Sequence, residues 1–363
     1  MEDNAGLKIG QVVKYTVTGV DQQGQFEVQR RYNEFLAVNK ALNERWPGCY
    51  IPAIPEKQFI GDKDEGFVEE RRQLLERFIH ECSKYQYIIE SAEFQMFAKE
   101  GGEVTERFEK MPKQTPGQIL EKFRLNFPKI QEESANEMAQ YRDRINTFSQ
   151  FLSKCQQANQ QNRDSMQQSV KHQKQNSDDY KQLYTILMQY EASALEYFSE
   201  NDMNSRVLTH PKAGDLNENL TTMVANFRNP FLEAAVWIKG EMLDIAGMLN
   251  AMKGRDLVMK RQLATEGRKR DDQQELEKLS LGKTTLKSFF KSKEGKEKDI
   301  LRLQASIEQA NVEIEEFRKL MNFITVYQGQ FAIEKFKKDK IAQYTRMLNL
   351  MAIKSVFNAN LFT

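Results

Sequence analysis

The segment that decides the fold of the N-terminal part of the chain is Arg30–Phe35, which reads RRYNEF. Before it, Val12–Thr18 alternates valines with threonines and Tyr15, and Phe26–Tyr32 follows after the turn residues of Asp21–Gly24. This alternation predicts a β-hairpin that leads into the motif.

Helical spacing follows the hairpin. Apolar residues recur at helical intervals from Phe35 to Trp46 and again from Phe67 to Tyr85. The proline-containing stretch Pro47–Pro55 separates the two segments. Strand signals and helix signals together predict a compact α+β domain for the first hundred residues.

Three segments in this order resemble the phox-homology (PX) domain: Arg30–Phe35, Pro52–Lys57 (PAIPEK) and Phe67–Gln73 (FVEERRQ). The resemblance covers roughly residues 7–100. The chain departs from the family at Ala53, where a second proline is usual. The resemblance implies a domain that reads a phosphoinositide head group.

Specific residues take their expected functions from this resemblance. In the family, the arginine before the tyrosine binds the 3-phosphate of phosphatidylinositol 3-phosphate, which implies that function for Arg31. Tyr32 would lie against the inositol ring, Lys57 would meet the 1-phosphate, and Arg71 would hydrogen-bond the free ring hydroxyls. The alternative for Arg31 and Arg71, each taken singly, is an ion pair with Glu34, Glu69 or Glu70.

After residue 130 the pattern becomes almost purely helical. Apolar residues at spacings of three and four form heptad-like seams. Those in the first part are Met138, Tyr141, Ile145, Phe148, Leu152 and Cys155. Breakers at Asn201–Gly214 and Gly282–Gly295 divide the region into three helices of about 131–200, 215–280 and 297–357. One chain folded into an antiparallel bundle would leave a long apolar side open, which favours a dimer.

The second of these helices contains residues that helices disfavour. Gly240, Gly247 and Gly254 are spaced by seven, and each costs about 1 kcal/mol relative to alanine. We expect another helix to approach closely along this face. Pro230 is expected to bend the helix, because proline removes a backbone hydrogen bond and clashes with the preceding turn.

A basic segment lies between the second and third helices. From Lys278 to Lys298 there are seven lysines and two acids, so the segment carries +5 and the rest of the chain −4. Lysines interleaved with Phe289 and Phe290 favour contact with an anionic membrane surface. The alternative is a solvated loop. The candidate membrane contacts here are Lys283, Lys287, Lys291 and Lys293.

The linker before the long helices predicts a short amphipathic helix. Thr115–Gln118 has the form of a capping box with proline at the first helical position. One face then carries Ile119, Leu120, Phe123, Phe127 and Ile130. Two alternatives stay open for this face: contact with a membrane, through Phe123 and Phe127, or packing onto the helical bundle.

The long helices with a basic tip resemble a BAR domain, a family that forms crescent dimers on curved membranes. We therefore expect an α+β PX domain at 1–102, a linker at 103–130, and an all-α BAR domain at 131–363, a long three-helix antiparallel coiled coil. This is the sorting nexin arrangement.

The sorting nexin arrangement implies a peripheral protein on the cytosolic face of endosomal membranes. It would bind phosphatidylinositol 3-phosphate and sense or induce curvature for protein sorting. Its partners would be a second copy or another BAR-containing sorting nexin, and a retromer-like cargo complex. The alternative function is a soluble coiled-coil adaptor that uses PX only for docking.

Composition and missing motifs argue against other classes. The net charge is only +1, and the three cysteines are scattered. The sequence contains no run of about 18 apolar residues, which a membrane-spanning helix would need. The three histidines are isolated, and Gly282-Lys283-Thr284 lacks the earlier glycine of a phosphate-binding loop. We expect a protein that is not an enzyme, that needs no cofactor or metal, and that does not bind nucleic acid.

Overall fold

The computed structural model describes residues 13–21, 24–57, 65–131, 134–193, 222, 225–281 and 293–360. The chain divides into two compact units. The first combines Met1–Lys154 with Leu243–Phe336, and the second combines Cys155–Met242 with Lys337–Thr363. The first unit therefore holds parts of the long helices together with the N-terminal domain.

The predicted hairpin is confirmed. Strand β1 (Lys14–Asp21) pairs with β2 (Gly24–Arg31) in antiparallel register. Gly24 follows the turn with a φ of 115°, a conformation that favours glycine. Helix α1 (Tyr32–Arg45) begins directly after β2, so the end of the sheet and the start of a helix meet within the RRYNEF motif.

In the described N-terminal part of the first unit, five further helices follow. They are α2 (Glu65–Ser83), α3 (Gln86–Ile89), α4 (Ala92–Lys99), α5 (Thr105–Lys110) and α6 (Pro116–Asn126). The core of the domain forms around the buried ring of Phe35. Its ring centroid lies 6.1 Å from that of Tyr15, 6.3 Å from Phe78 and 4.9 Å from Phe97.

Arg30, the first arginine of the motif, is a core residue with 1% of its surface exposed. Its Nε donates to the Phe97 carbonyl at 2.7 Å, and its Nη1 donates to the Gly102 carbonyl at 2.8 Å. The same guanidinium lies 3.4 Å from the Glu34 carboxylate. Arg30 thus ties β2 to the end of α4, and a buried charge with these partners has its hydrogen bonds satisfied.

Helix α6 begins with the predicted capping box. The Thr115 hydroxyl accepts from the Gln118 backbone N–H, and the Gln118 side chain accepts from the Thr115 N–H. Phe123 is 0% exposed, and its ring stacks 5.6 Å from Trp46. Of the two alternatives for the apolar face of α6, the structure shows packing onto the protein. The prediction that Phe123 contacts a membrane is therefore wrong, and Phe123 is a core residue. Phe127 is half-buried, and its ring centroid lies 4.6 Å from that of Tyr327.

The three predicted long helices are present with different ends. They are α7 (Ala135–Ser193), α8 (Phe231–Ser280) and a third that consists of α9 (Lys293–Val326), a π-helical turn (Tyr327–Ala332) and α10 (Ile333–Asn360).

The prediction that Pro230 bends a helix is wrong. Pro230 precedes the first residue of α8, where its missing N–H removes no helical hydrogen bond. The side chain of Asn229 accepts from the Phe231 backbone N–H at 2.9 Å. The proline therefore lies outside the helix, next to a residue that caps it.

The glycine prediction needs correction as well. Gly247 and Gly254 face the loop between α1 and α2, and no helix makes the closest approach. A Cβ atom at Gly247 would lie 2.6 Å from the Ile51 carbonyl oxygen, and one at Gly254 would collide with the Gly48 backbone. The N-terminal domain therefore packs its loop backbone against α8 where only glycine leaves room. Gly240 belongs to the second unit.

The π-helical turn takes part in the same packing. Gln328 is fully buried, and its side-chain nitrogen donates to the Gly48 carbonyl at 3.0 Å and to the Ala251 carbonyl at 2.8 Å. One side chain from the third helix therefore joins the loop after α1 to α8. The π-turn, a form often found at functional positions, places this glutamine between them.

In the second unit, ion pairs join α8 to α10. Lys340 pairs with Glu241 at 2.7 Å, and Lys354 pairs with Glu233 at 2.7 Å. Several large apolar side chains of this unit are exposed. On α7 they are Tyr180, Leu183, Ile186, Leu187 and Tyr190, and on α10 they include Ile341, Tyr344, Leu348, Ile353 and Val356.

None of the helices in the described part of the chain combines the length and the hydropathy of a membrane-spanning segment. The same part of the chain contains no group of three or more metal-ligating side chains.

Candidate functional site

The three motif segments meet around the side chain of Tyr32. This residue is the first of α1 and is 8% exposed. Its hydroxyl donates to the carbonyl of Pro55, within the PAIPEK segment, at 2.5 Å. The guanidinium carbon of Arg71, on α2, lies 4.8 Å from the centroid of the Tyr32 ring. Two of the predicted binding residues, Tyr32 and Arg71, are therefore in contact, and a cation over an aromatic face is a favourable arrangement.

Tyr15 is a neighbour of this pair that the sequence did not identify as a site residue. Burial raises the pKa of Tyr15, and the adjacent Arg71 opposes the rise through its charge and a hydrogen bond. Burial likewise raises the pKa of Tyr32, again opposed by the charge of Arg71. The alternation of β1 in the sequence indicates that Tyr15 points inward. Its contact with Arg71 of α2 depends on the tertiary structure and could not be predicted from the local sequence.

Arg31 lies at the junction of β2 and α1 with its side chain exposed. The alternative that Arg31 pairs with Glu34 is not what the structure shows. Glu34 accepts a hydrogen bond from the Arg31 backbone N–H at 2.8 Å, and its other carboxylate oxygen faces Arg30. Within the described part of the chain, the Arg31 side chain forms no ion pair. It is therefore available to an external anion.

Lys57 is exposed and lies two residues after Pro55, whose carbonyl holds Tyr32. Of the three candidate cations, Arg71 contacts the Tyr32 ring, Arg31 precedes Tyr32 in the chain, and Lys57 follows the segment that holds the Tyr32 hydroxyl. Such a set suits an anionic ligand with a ring, because guanidinium groups form charge-assisted hydrogen bonds with phosphate and the aromatic face covers apolar surface.

Three of the predicted membrane contacts, Lys283, Lys287 and Lys291, lie outside the described residues. Lys293 is the first residue of α9. The basic segment therefore connects α8 to α9, as the sequence indicated. The membrane function of these lysines stays a prediction.

Comparison with known proteins agrees with the N-terminal geometry. The family model of the PX domain matches residues 18–100. Vacuolar protein sorting-associated protein vps5 of Schizosaccharomyces pombe is 41% identical over 70 residues, which are 19% of this chain and 12% of that protein. Human sorting nexin-8 is 31% identical over 90 residues, 25% of this chain and 19% of that protein.

A third relative, mouse sorting nexin-7, is 29% identical over 110 residues, 29% of this chain and 28% of that protein. The matches thus span less than a third of the length of these curated relatives.

A solved structure is similar over the entire chain. The cryo-EM structure of the SNX-BAR Mvp1 tetramer aligns with a TM-score of 0.56 and 15% sequence identity, covering 100% of this chain and 98% of that one. At this identity the likeness concerns the fold. The chain therefore has an N-terminal PX domain related to those of the sorting nexins, followed by the long helices of the SNX-BAR fold.

Proposed function

We propose that this chain binds phosphatidylinositol 3-phosphate through its PX domain and, as a dimer, senses or induces curvature of endosomal membranes during protein sorting. The observation that carries the proposal is the contact of Arg71 with the Tyr32 ring, next to an Arg31 side chain that is open to an external anion. The functions of these residues follow from the family resemblance.

The head-group site is assigned as follows. Arg31 holds the 3-phosphate, since a guanidinium can form two parallel hydrogen bonds with phosphate oxygens. Tyr32 lies against the inositol ring, Arg71 donates to the ring hydroxyls, and Lys57 meets the 1-phosphate. The hydrogen bond from Tyr32 to Pro55 supports this assignment, because it fixes the aromatic ring before any ligand arrives.

The dimer is supported by the exposed apolar side chains of α7 and α10 in the second unit. Many large apolar side chains exposed on the same helices are characteristic of an interface. The partner is a second copy or another BAR-containing sorting nexin, and a retromer-like cargo complex would join the assembly.

The basic segment between α8 and α9 supplies the second membrane contact of the proposal. Its charge of +5 would attract an anionic surface without reading a particular head group. A soluble adaptor that docks through PX alone would not need this contact.

Liposome flotation and electron microscopy test the proposal together. Wild-type protein should float with liposomes that contain phosphatidylinositol 3-phosphate and should convert them to tubules. Arg31→Ala should weaken binding by about 2–3 kcal/mol, the scale of hydrogen bonds to charged groups. Arg31→Lys should restore only part of the affinity.

A matched control is Arg72→Ala. Arg72 is on the same helix as Arg71 but pairs with Glu69 at 2.8 Å and Glu76 at 2.9 Å. Its loss should leave lipid binding unchanged. Undiminished flotation of Arg31→Ala would remove the head-group assignment, and liposomes that bind protein but stay spherical would favour the adaptor.

A further inference from the structure

The register of the hairpin brings a second cation to Arg31. Lys14 is its direct partner across the two strands. Directly opposed residues point to the same face of an antiparallel pair, with Cβ atoms about 4.5–5.5 Å apart. Both side chains are exposed, whereas the next residues inward, Tyr15 and Arg30, are buried.

Two like charges directly opposite each other destabilise a strand pair. In the described ranges, neither Lys14 nor Arg31 forms an ion pair that would offset this repulsion. Glu34 is engaged by the Arg31 backbone and by Arg30. Glu27 lies on the same face of β2, opposite Thr18. At about 3.3 Å per residue it is about 13 Å from Arg31 along the strand, beyond the Debye length of about 8 Å.

We propose that Lys14 is a second ligand of the phosphate that Arg31 binds, so that the two cations together select a phosphomonoester. This inference rests on the proposed function, because it assigns a further residue to the same site. A phosphomonoester carries a charge of about −1.5 to −2 at neutral pH, whereas a phosphodiester carries only one negative charge. Arg31 supplies the planar fork and Lys14 the additional point charge.

A shared phosphate ligand would account for the placement of Lys14 directly opposite Arg31 in the free protein. The dianion neutralises both cations at once, so the unfavourable pair of the free state becomes a favourable one in the complex. Binding and stability should then respond to Lys14 in opposite directions. A lysine that only supported the fold would change both in the same direction.

Lys14→Ala in the full chain tests this directly by liposome flotation at several salt concentrations. With liposomes that contain phosphatidylinositol 3-phosphate, the affinity should fall about tenfold, the equivalent of one charge-assisted hydrogen bond. The remaining affinity should depend less on salt. With liposomes of equal charge made from phosphatidylserine, which has no phosphomonoester, the change should be much smaller.

The melting temperature of the free protein gives the second measurement. Lys14→Ala should leave it unchanged or raise it, because the repulsion is removed. Lys14→Arg should keep most of the affinity. The control is Lys40→Ala, an exposed lysine of α1 whose Nζ lies 3.9 Å from Glu44, and it should change neither quantity.

The outcomes separate this inference from the function on which it rests. If Arg31→Ala loses binding and Lys14→Ala does not, Lys14 is not a ligand and the inference is overturned. If both variants bind as well as wild type, the head-group assignment itself fails, and the inference with it. Free inorganic phosphate is added as a competitor to identify the source of the ligand. Displacement of the protein from liposomes at millimolar phosphate would show that the pair binds free phosphate and does not select the lipid.

Discussion

The Nη2 atom of Arg77 lies 2.7 Å from each carboxylate oxygen of Asp244. Arg77 belongs to α2 of the PX domain, and Asp244 belongs to α8, the second long helix. Asp244 is 2% exposed and also accepts from the Tyr50 hydroxyl at 3.3 Å. Burial alone would lower the pKa of Arg77, but the charge and hydrogen bonding of Asp244, together with the nearby Glu81 and Tyr50, raise the pKa overall. The helix that carries Arg71 is therefore anchored to the long helices.

Removing the acid of this pair should destabilise the first unit. Asp244→Asn should lower the free energy of unfolding by about 3 kcal/mol, because it leaves a partly buried guanidinium with only the more distant Glu81, at 3.9 Å, as its counter-charge. Urea denaturation measures the change. The control is Glu44→Gln, which breaks an exposed pair with Lys40 and should cost less than about 0.5 kcal/mol. Equal losses for the two variants would show that the buried pair contributes no more than a surface one.

Two glycines of α8 should respond to alanine in opposite directions. Helix propensity alone predicts that each Gly→Ala change stabilises by about 1 kcal/mol. At Gly267 nothing lies within 4 Å of a new Cβ atom, so Gly267→Ala should show this gain. At Gly254 the Cβ would collide with the Gly48 backbone, and Gly254→Ala should destabilise. Thermal denaturation of both variants measures these changes in stability. A higher melting temperature for Gly254→Ala would mean that the loop between α1 and α2 does not pack against Gly254.

The sequence predicted local structure well and tertiary partners poorly. The hairpin and the capping box at Thr115 depend on neighbouring residues, and both are present in the structure. The spacing of Gly247 and Gly254 correctly indicated a close approach, but the partner is a loop about 200 residues earlier in the chain. No local pattern encodes such a contact.

The candidate site shows the same limit. The motifs indicated Arg31, Tyr32, Lys57 and Arg71, and the structure brings Tyr32 into contact with Arg71. The amphipathic pattern of α6 could not distinguish a membrane from a protein core as the partner of Phe123. An apolar face looks the same in sequence whichever surface covers it.

Lys122 should make stability depend on pH. Its Nζ lies 4.0 Å from the Trp46 ring centroid, and burial lowers its pKa to about 8, with Glu93 opposing the shift and Arg45 adding to it. Between pH 8 and the unfolded value of about 10.5, the unfolded chain binds more protons, so this group makes stability rise with pH. Lys122→Met should remove that rise, as measured by urea denaturation at pH 7.5, 8.5 and 9.5. Parallel pH profiles for wild type and variant would contradict the prediction.

The exposed stripe on α7 should hold the proposed dimer together. Tyr180, Leu183, Leu187 and Tyr190 recur at spacings of three and four, which places them on one helix face, and each is 45–66% exposed. Glutamates at Leu183 and Leu187 would bury charge without a partner in an interface, which is strongly unfavourable. We therefore expect wild type to scatter light as a dimer at micromolar concentration and the double variant as a monomer. Leu125→Glu, at an apolar residue of α6 that is even more exposed, should leave the mass unchanged. A dimeric double variant would place the interface elsewhere.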